Sequence, residues 1–113
     1  MINKHLLINV YNIIDIELLN NDDIIDELIN KIVSKFNFTI KDKLYHRFDI
    51  NGKTIVYLLD DYNLTIHTFP LIYYCAIDMY IDYNIVFDKN DIVDIVEDFF
   101  NYNCWTKNDL LER

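Results

Sequence analysis

The sequence predicts an α+β fold: a two-layer sandwich with two helices packed on one face of a largely antiparallel sheet. Strand-like segments flank two amphipathic helical segments, and Asn51-Gly52 gives a strong hairpin signal. The 113-residue chain is 52% apolar with one Gly and one Pro, which is typical of a packed globule with few tight turns. This length supports one core, so residues 1–113 are expected to form a single domain.

Strands are expected wherever short apolar, β-prone runs occur between polar residues. The first covers residues 5–12, and 38–48 and 53–60 form a hairpin around Asn51-Gly52. The remaining strand-like segments are 65–68, which extends into Pro70, then 72–81, and a short terminal strand at 103–106.

Two helices are predicted by apolar residues that recur at helical spacing. The first starts at Asn21, and Asp22 and Asp23 in its first turn complement the helix dipole. Its apolar face comprises Ile24, Ile25, Leu28, Ile29, Ile32, Val33 and Phe36. In the second helix Asn90 is the expected cap. Its inward residues are Ile92, Val93, Ile95, Val96, Phe99 and Phe100.

Charge and composition exclude several classes of function. The net charge is −9 with no basic stripe, so neither nucleic acid nor an anionic membrane is an expected partner. Neither a secretory leader nor a bilayer-length apolar run is visible, which predicts a cytoplasmic protein with Cys75 and Cys104 reduced. The histidines lie at 5, 46 and 67 without metal-ligand spacing, so no metal site is expected.

The motif that carries the most chemistry is residues 59–70, Leu-Asp-Asp-Tyr-Asn-Leu-Thr-Ile-His-Thr-Phe-Pro. It resembles the processing site of the prokaryotic S-adenosylmethionine decarboxylases. In that family an acidic residue and a serine precede Leu-Ser-Ile-His-Thr-aromatic-Pro. The precursor cleaves itself at the acidic-Ser bond, and the serine becomes a pyruvoyl cofactor. Here Asp61 and Tyr62 occupy those two positions.

Other segments resemble the same family in the same order. His5–Tyr11 is similar to its first strand, Tyr45–Phe48 with Asn51-Gly52 to its hairpin, and Tyr74–Tyr80 to the strand after the Pro. The resemblance implies the family's two-layer fold. It also implies self-association, as a homodimer or homotrimer, because catalytic pockets in the family lie near subunit boundaries.

The departures from the family pattern concern its catalytic groups. A tyrosine hydroxyl is attached to a ring carbon, so Tyr62 cannot undergo the acyl shift and elimination that leave a pyruvoyl. Asp82 falls on the family's catalytic cysteine, and Leu71 replaces its glutamate. Without a carbonyl there is no electron sink for decarboxylation, so neither that cofactor nor that activity is expected.

Several binding positions are retained. His67 matches the family's histidine, and Thr54 falls on a second processing serine with its hydroxyl kept. The resemblance places Phe48 and Phe69 in the adenosyl pocket, where flat rings suit adenine and a sulfonium. The alternative, that these two rings fill the core, stays open.

The hypothesis that follows is a lyase that degrades S-adenosylmethionine without a cofactor, by attack of the substrate's carboxylate on its own Cγ. The substrate is S-adenosylmethionine or a nucleotide derivative such as S-adenosylmethionine–AMP, a signal in some CRISPR defence systems. Tyr62, His67 and Asp82 are the candidate catalytic residues. Candidate substrate contacts are Phe48, Thr54, Thr65 and Phe69. The alternative is an inactive relative that sequesters the nucleotide or regulates an active decarboxylase.

Overall fold

A computed structural model describes residues 3–101 and 103–113, which form one six-stranded sheet with helices on one face. The strands are β1 (Asn3–Tyr11), β2 (Asp42–Arg47), β3 (Lys53–Leu58), β4 (Asn63–Phe69), β5 (Tyr74–Asp82) and β6 (Trp105–Glu112). The helices are α1 (Glu17–Asn20), α2 (Asp22–Ser34) and α3 (Lys89–Phe100), with a 3-10 turn at Pro70–Ile72.

The strand order is β2-β3-β4-β5-β1-β6, and every neighbouring pair is antiparallel. The predicted fold class is therefore confirmed. The short helix α1 was not expected from the sequence, because four residues are too few to show a helical period. No helix in the described part of the chain is long and apolar enough to cross a membrane.

Several boundaries differ from the sequence prediction: β2 begins at Asp42 and not at residue 38, and β4 begins at Asn63 and not at residue 65. Helix α3 begins earlier than expected because Asp88, not Asn90, is its cap: the Asp88 carboxylate accepts a hydrogen bond from the Asn90 amide at 2.9 Å. Strand β6 extends to Glu112, well beyond the expected residue 106, because it pairs with β1 along its whole length. The alternation of polar and apolar residues in β6 is weak. It therefore does not predict the full length of the strand unless the pairing with β1 is known.

The core lies between the sheet and helices α2 and α3. Side chains alternate along each strand, so Leu64 and Ile66 of β4 are fully buried under the helices while Thr65 and His67 point to the opposite face. Helix α2 contributes Ile25, Leu28, Ile29, Ile32 and Val33, and α3 contributes Ile92, Val93, Val96 and Phe100. Each such side chain stabilises the fold by roughly 1.5–3 kcal/mol through burial.

The hairpin between β2 and β3 closes through Asn51-Gly52, as predicted. Gly52 has a φ of 103°, and a Cβ at this position would lie 2.5 Å from the carbonyl oxygen of Thr68. The Phe48 amide donates to the Gly52 carbonyl at 2.9 Å. Gly52 therefore lets the loop that carries Phe48 approach β4 closely.

A network of charged groups joins this hairpin to α2. The Lys53 side chain is buried and its Nζ pairs with the Asp22 carboxylate. Partial burial alone would raise the pKa of Asp22, but the hydrogen bond and charge of Lys53 hold that pKa below its usual range. One turn along, Asp26 accepts from the Tyr57 hydroxyl at 2.5 Å and from Lys43 Nζ at 2.8 Å. The sheet edge is thus tied to the helix layer by ion pairs.

Candidate functional site

No element of the described residues covers the face of the sheet opposite the helices, and a row of aromatic rings crosses this face. The row runs from the β2–β3 loop over β4, β5 and β1 to β6, and we call it the aromatic row: Phe48, Phe69, Tyr74, Tyr11 and Trp105. Successive ring centroids are 5.8, 5.7, 5.2 and 4.2 Å apart, and their planes are inclined by 20–35°. Such a row offers flat surfaces to a planar ligand.

A second row lies directly beside the first, because the strand register aligns its members across four strand boundaries. This polar row consists of Thr54, His67, Ala76, Asn9 and Lys107. Thr54 Oγ1 and His67 Nδ1 are 2.8 Å apart. The Tyr74 hydroxyl donates to Asn9 Oδ1 at 2.5 Å, which joins the two rows.

Asp78 adds a carboxylate to the polar row. Its Oδ2 lies 3.9 Å from His67 Nε2, and both side chains are about one-third exposed. His67 therefore stands between a hydroxyl and a carboxylate, an arrangement that fixes its ring orientation. Sequence reasoning did not assign Asp78 to the site, because its neighbour His67 is on another strand and only the register brings them together.

Tyr62 and Asp82 form a separate pair at the other end of β4 and β5. The Tyr62 hydroxyl donates to Asp82 Oδ2 at 3.3 Å, and its ring packs 5.2 Å from the ring of Phe38. Desolvation and the charge of Asp82 raise the pKa of the Tyr62 hydroxyl, so it is protonated at neutral pH. The five residues from Tyr62 to His67 correspond to about 16 Å of extended strand.

The structure thus divides the residues expected from the sequence into two groups. Phe48, Thr54, His67 and Phe69 lie together, whereas Tyr62 and Asp82 lie at the far end of the same strands. Thr65 lies between them, opposite Asp78 in the register. Within one chain, Tyr62 and His67 do not share a pocket, because β4 is extended between them.

The residues present do not fit a pyruvoyl group. That group is made from a serine, and the only serine in the sequence, Ser34, lies at the end of α2, where its hydroxyl bonds to the Asn30 carbonyl. The matching position is Tyr62, whose phenol is held by Asp82. Cys75 does not replace the family's cysteine, because it faces the core and burial raises the pKa of its thiol.

No group of three His, Cys, Asp or Glu in residues 3–101 and 103–113 is arranged to hold a metal ion. The chemistry available at the site comes instead from rings, hydroxyls, one imidazole and carboxylates. Those groups can bind a planar cation and orient it.

The fold is a six-stranded antiparallel sheet with helices on one face. A solved structure shares this class of fold. The adenosylmethionine decarboxylase from Aquifex aeolicus VF5 superimposes with a TM-score of 0.75 over 99% of this chain and 90% of that chain, at 24% identity. The family model for S-adenosylmethionine decarboxylase matches residues 4–110. The chain belongs to the S-adenosylmethionine decarboxylase family.

Curated relatives agree with this assignment. The S-adenosylmethionine decarboxylase proenzyme of Clostridium kluyveri is 31% identical over 77 residues, which are 68% of this chain and 60% of the relative. The proenzyme of Caldicellulosiruptor saccharolyticus is 29% identical over 77 residues, covering 68% of this chain and 61% of the relative. The match therefore spans about three-fifths of the length of these relatives.

Proposed function

We propose that the protein is a lyase that degrades S-adenosylmethionine, or a nucleotide conjugate of it with a free carboxylate, without a pyruvoyl group. The observation that carries the proposal is the contrast within the site. The rings and polar groups suited to an adenosyl sulfonium are kept around His67, whereas the position that makes the cofactor is the phenol of Tyr62.

The bound substrate is cationic at sulfur. Its adenine stacks against Phe48 and Phe69, and its sulfonium lies near the carboxylate of Asp78. Thr54 and His67 hold the methionine arm so that the carboxylate oxygen approaches Cγ from the side opposite sulfur. The O–Cγ bond forms as the Cγ–S bond breaks, and sulfur keeps the electron pair. The products are methylthioadenosine and homoserine lactone, and no proton transfer or carbon dioxide release is needed.

We further propose that two copies complete the site. The open face exposes apolar side chains, including Leu44, Leu58 and Leu111, which suits an interface. In a two-fold dimer packed through this face, the partner subunit's Asp82, with the hydroxyl of the partner's Tyr62 bonded to it, can lie near the His67 group, since each chain holds the two groups at opposite ends of β4. The ring of Tyr62 itself packs against the core beside Phe38. Closure would exclude water, which strengthens the attraction of Asp78 for the sulfonium.

The deciding experiment is incubation of purified protein with S-adenosylmethionine and with its AMP conjugate, followed by mass spectrometry of the products. We expect homoserine lactone from the free substrate and no decarboxylated product. The free substrate should also give methylthioadenosine. The AMP conjugate should give the same two fragments with the AMP group still bonded to one of them, because only the Cγ–S bond breaks. Intact-mass measurement should show one uncleaved chain.

Two outcomes oppose the proposal. Decarboxylated S-adenosylmethionine together with a chain cleaved before Tyr62 would restore the decarboxylase assignment. Tight binding in calorimetry without consumption of either substrate would support the alternative, an inactive relative that sequesters its ligand.

A further inference from the structure

The end of the aromatic row at β6 lies outside the positions needed for one adenosyl group. Phe69 and Trp105 are separated by three strand spacings, or about 14 Å across the sheet. The rings between them, Tyr74 and Tyr11, keep the row continuous. The row therefore provides stacking surface well beyond Phe48 and Phe69.

Trp105 is the terminal ring of the row. Tyr11 packs against one face of its indole, with centroids 4.2 Å apart and planes inclined by 20°. Trp105 is nevertheless 50% exposed. An exposed indole braced by a second ring is a rigid platform for a base.

Lys107 places a cation over the Trp105 ring, and a stacking base would move this flexible side chain aside. Its Nζ lies 5.7 Å from the centre of the Trp105 ring, on the same face of β6. No carboxylate of the described residues lies within ion-pair distance of Lys107. A lysine next to a stacking ring matches the two parts of a nucleotide, because the ring takes the base and the ammonium takes the phosphate.

We infer that Tyr11, Trp105 and Lys107 form a subsite for a nucleoside monophosphate group. A polymer such as RNA is disfavoured, because the chain carries a net charge of −9 and this subsite offers one cation. The inference rests on the proposed function and narrows it. A substrate that fills both ends of the row carries two bases, which favours the AMP conjugate of S-adenosylmethionine over the free compound.

The test uses the fact that Trp105 is the only tryptophan in the sequence. AMP should quench its fluorescence saturably, and adenosine should need on the order of ten-fold higher concentration, because it lacks the charge-assisted contact. Inorganic phosphate alone should not quench. Lys107→Ala should weaken AMP binding about ten-fold without changing adenosine binding. The matched control is Lys35→Ala, which removes one exposed lysine from the helix layer.

The inference fails if AMP does not quench Trp105, if AMP and adenosine titrate alike, or if Lys107→Ala behaves like Lys35→Ala. It also fails if Phe48→Ala abolishes the quenching and Lys107→Ala does not, since AMP then occupies only the adenosyl end. The fluorescence titration measures binding and does not depend on turnover. It therefore still tests the subsite if the lyase proposal fails. With an active enzyme, Trp105→Ala should lower kcat/KM at least ten-fold more for the conjugate than for S-adenosylmethionine.

Discussion

The two faces of the sheet are built from the same strands but have opposite chemistry. On β4, Leu64 and Ile66 are sealed under α2 and α3, while Thr65 and His67 on the other side remain partly accessible. The covered face is mostly aliphatic, with Lys53, Tyr57 and Thr68 among its exceptions. The open face carries rings, hydroxyls, an imidazole and carboxylates, arranged in rows by the strand register. Stability therefore resides on one face and the candidate chemistry on the other.

The largest loss of stability should come from a substitution on the covered face. Ile66→Ala removes a fully buried side chain and leaves a cavity, and we expect a loss of about 4 kcal/mol in the free energy of unfolding. Its matched control is the adjacent Thr65→Ala on the open face, where about 0.5 kcal/mol is expected. Denaturant melts of both variants measure this difference, and equal losses would contradict the division between the faces.

Breaking the ion pair between α2 and β3 should cause the next largest loss of stability. Asp22→Asn leaves the buried Lys53 ammonium without its partner, and we expect a loss of about 3 kcal/mol in the free energy of unfolding. This value is at the low end for such pairs because Asp22 is 40% exposed. The exposed pair Glu27–Lys31 provides the control, since Glu27→Gln should cost less than about 0.5 kcal/mol.

The same pair predicts a pH dependence. The pKa of Asp22 is lower in the folded chain than its ordinary value of 3.8. The stabilisation is therefore present above that value and is lost as the pH falls through the lowered pKa. Unfolding curves between neutral and acidic pH should show wild type losing more stability than Asp22→Asn. Parallel curves would mean that the ion pair contributes little.

The open face should show the reverse behaviour, a large change in turnover with a small change in stability. His67→Ala should slow product formation on the order of 10²-fold, as loss of one positioned polar group commonly does, and change the free energy of unfolding by less than about 1 kcal/mol. Tyr62→Phe should slow turnover to a similar extent if the partner subunit supplies this hydroxyl.

Co-expression of the two variants sharpens that prediction. In a two-fold dimer with shared sites, mixed dimers contain one site with both substitutions and one intact site, so about a quarter of wild-type activity should return. Light scattering gives the oligomeric state of the same samples. Failure of complementation in a confirmed dimer would place each site within one chain.

Much of the fold could be predicted from local patterns. The alternation in β4 and the helical spacing of α2 are strong because burial on one side imposes them, and α2 begins within one residue of the expected start at Asn21, which is its cap. The start of α3 could not be fixed, because Asp88 and Asn90 are comparable caps and only the packed helix selects between them. The extent of β6 depended on its pairing with β1.

The candidate site was less accessible to sequence reasoning. The match to a family motif identified His67, Thr54, Phe48 and Phe69, which the structure brings together. It also identified Tyr62 and Asp82, which lie apart from them in one chain. Tyr11 and Asp78 lay in segments that resemble the family but were not assigned to the site, and Trp105 matched no motif, since their relation to His67 runs across strands and not along the chain.

The sequence by itself determined that a helix-covered sheet would form and that the pyruvoyl-forming serine is replaced by Tyr62. Both follow from residue identity and short-range order: apolar spacing fixes which side of each strand is buried, and a phenol cannot become a pyruvoyl. Only the tertiary structure decided that five rings from distant segments form one row ending at Trp105, with Lys107 beside it. Antiparallel pairing aligns Tyr11 with Trp105, which are 94 positions apart, and no local pattern encodes that alignment.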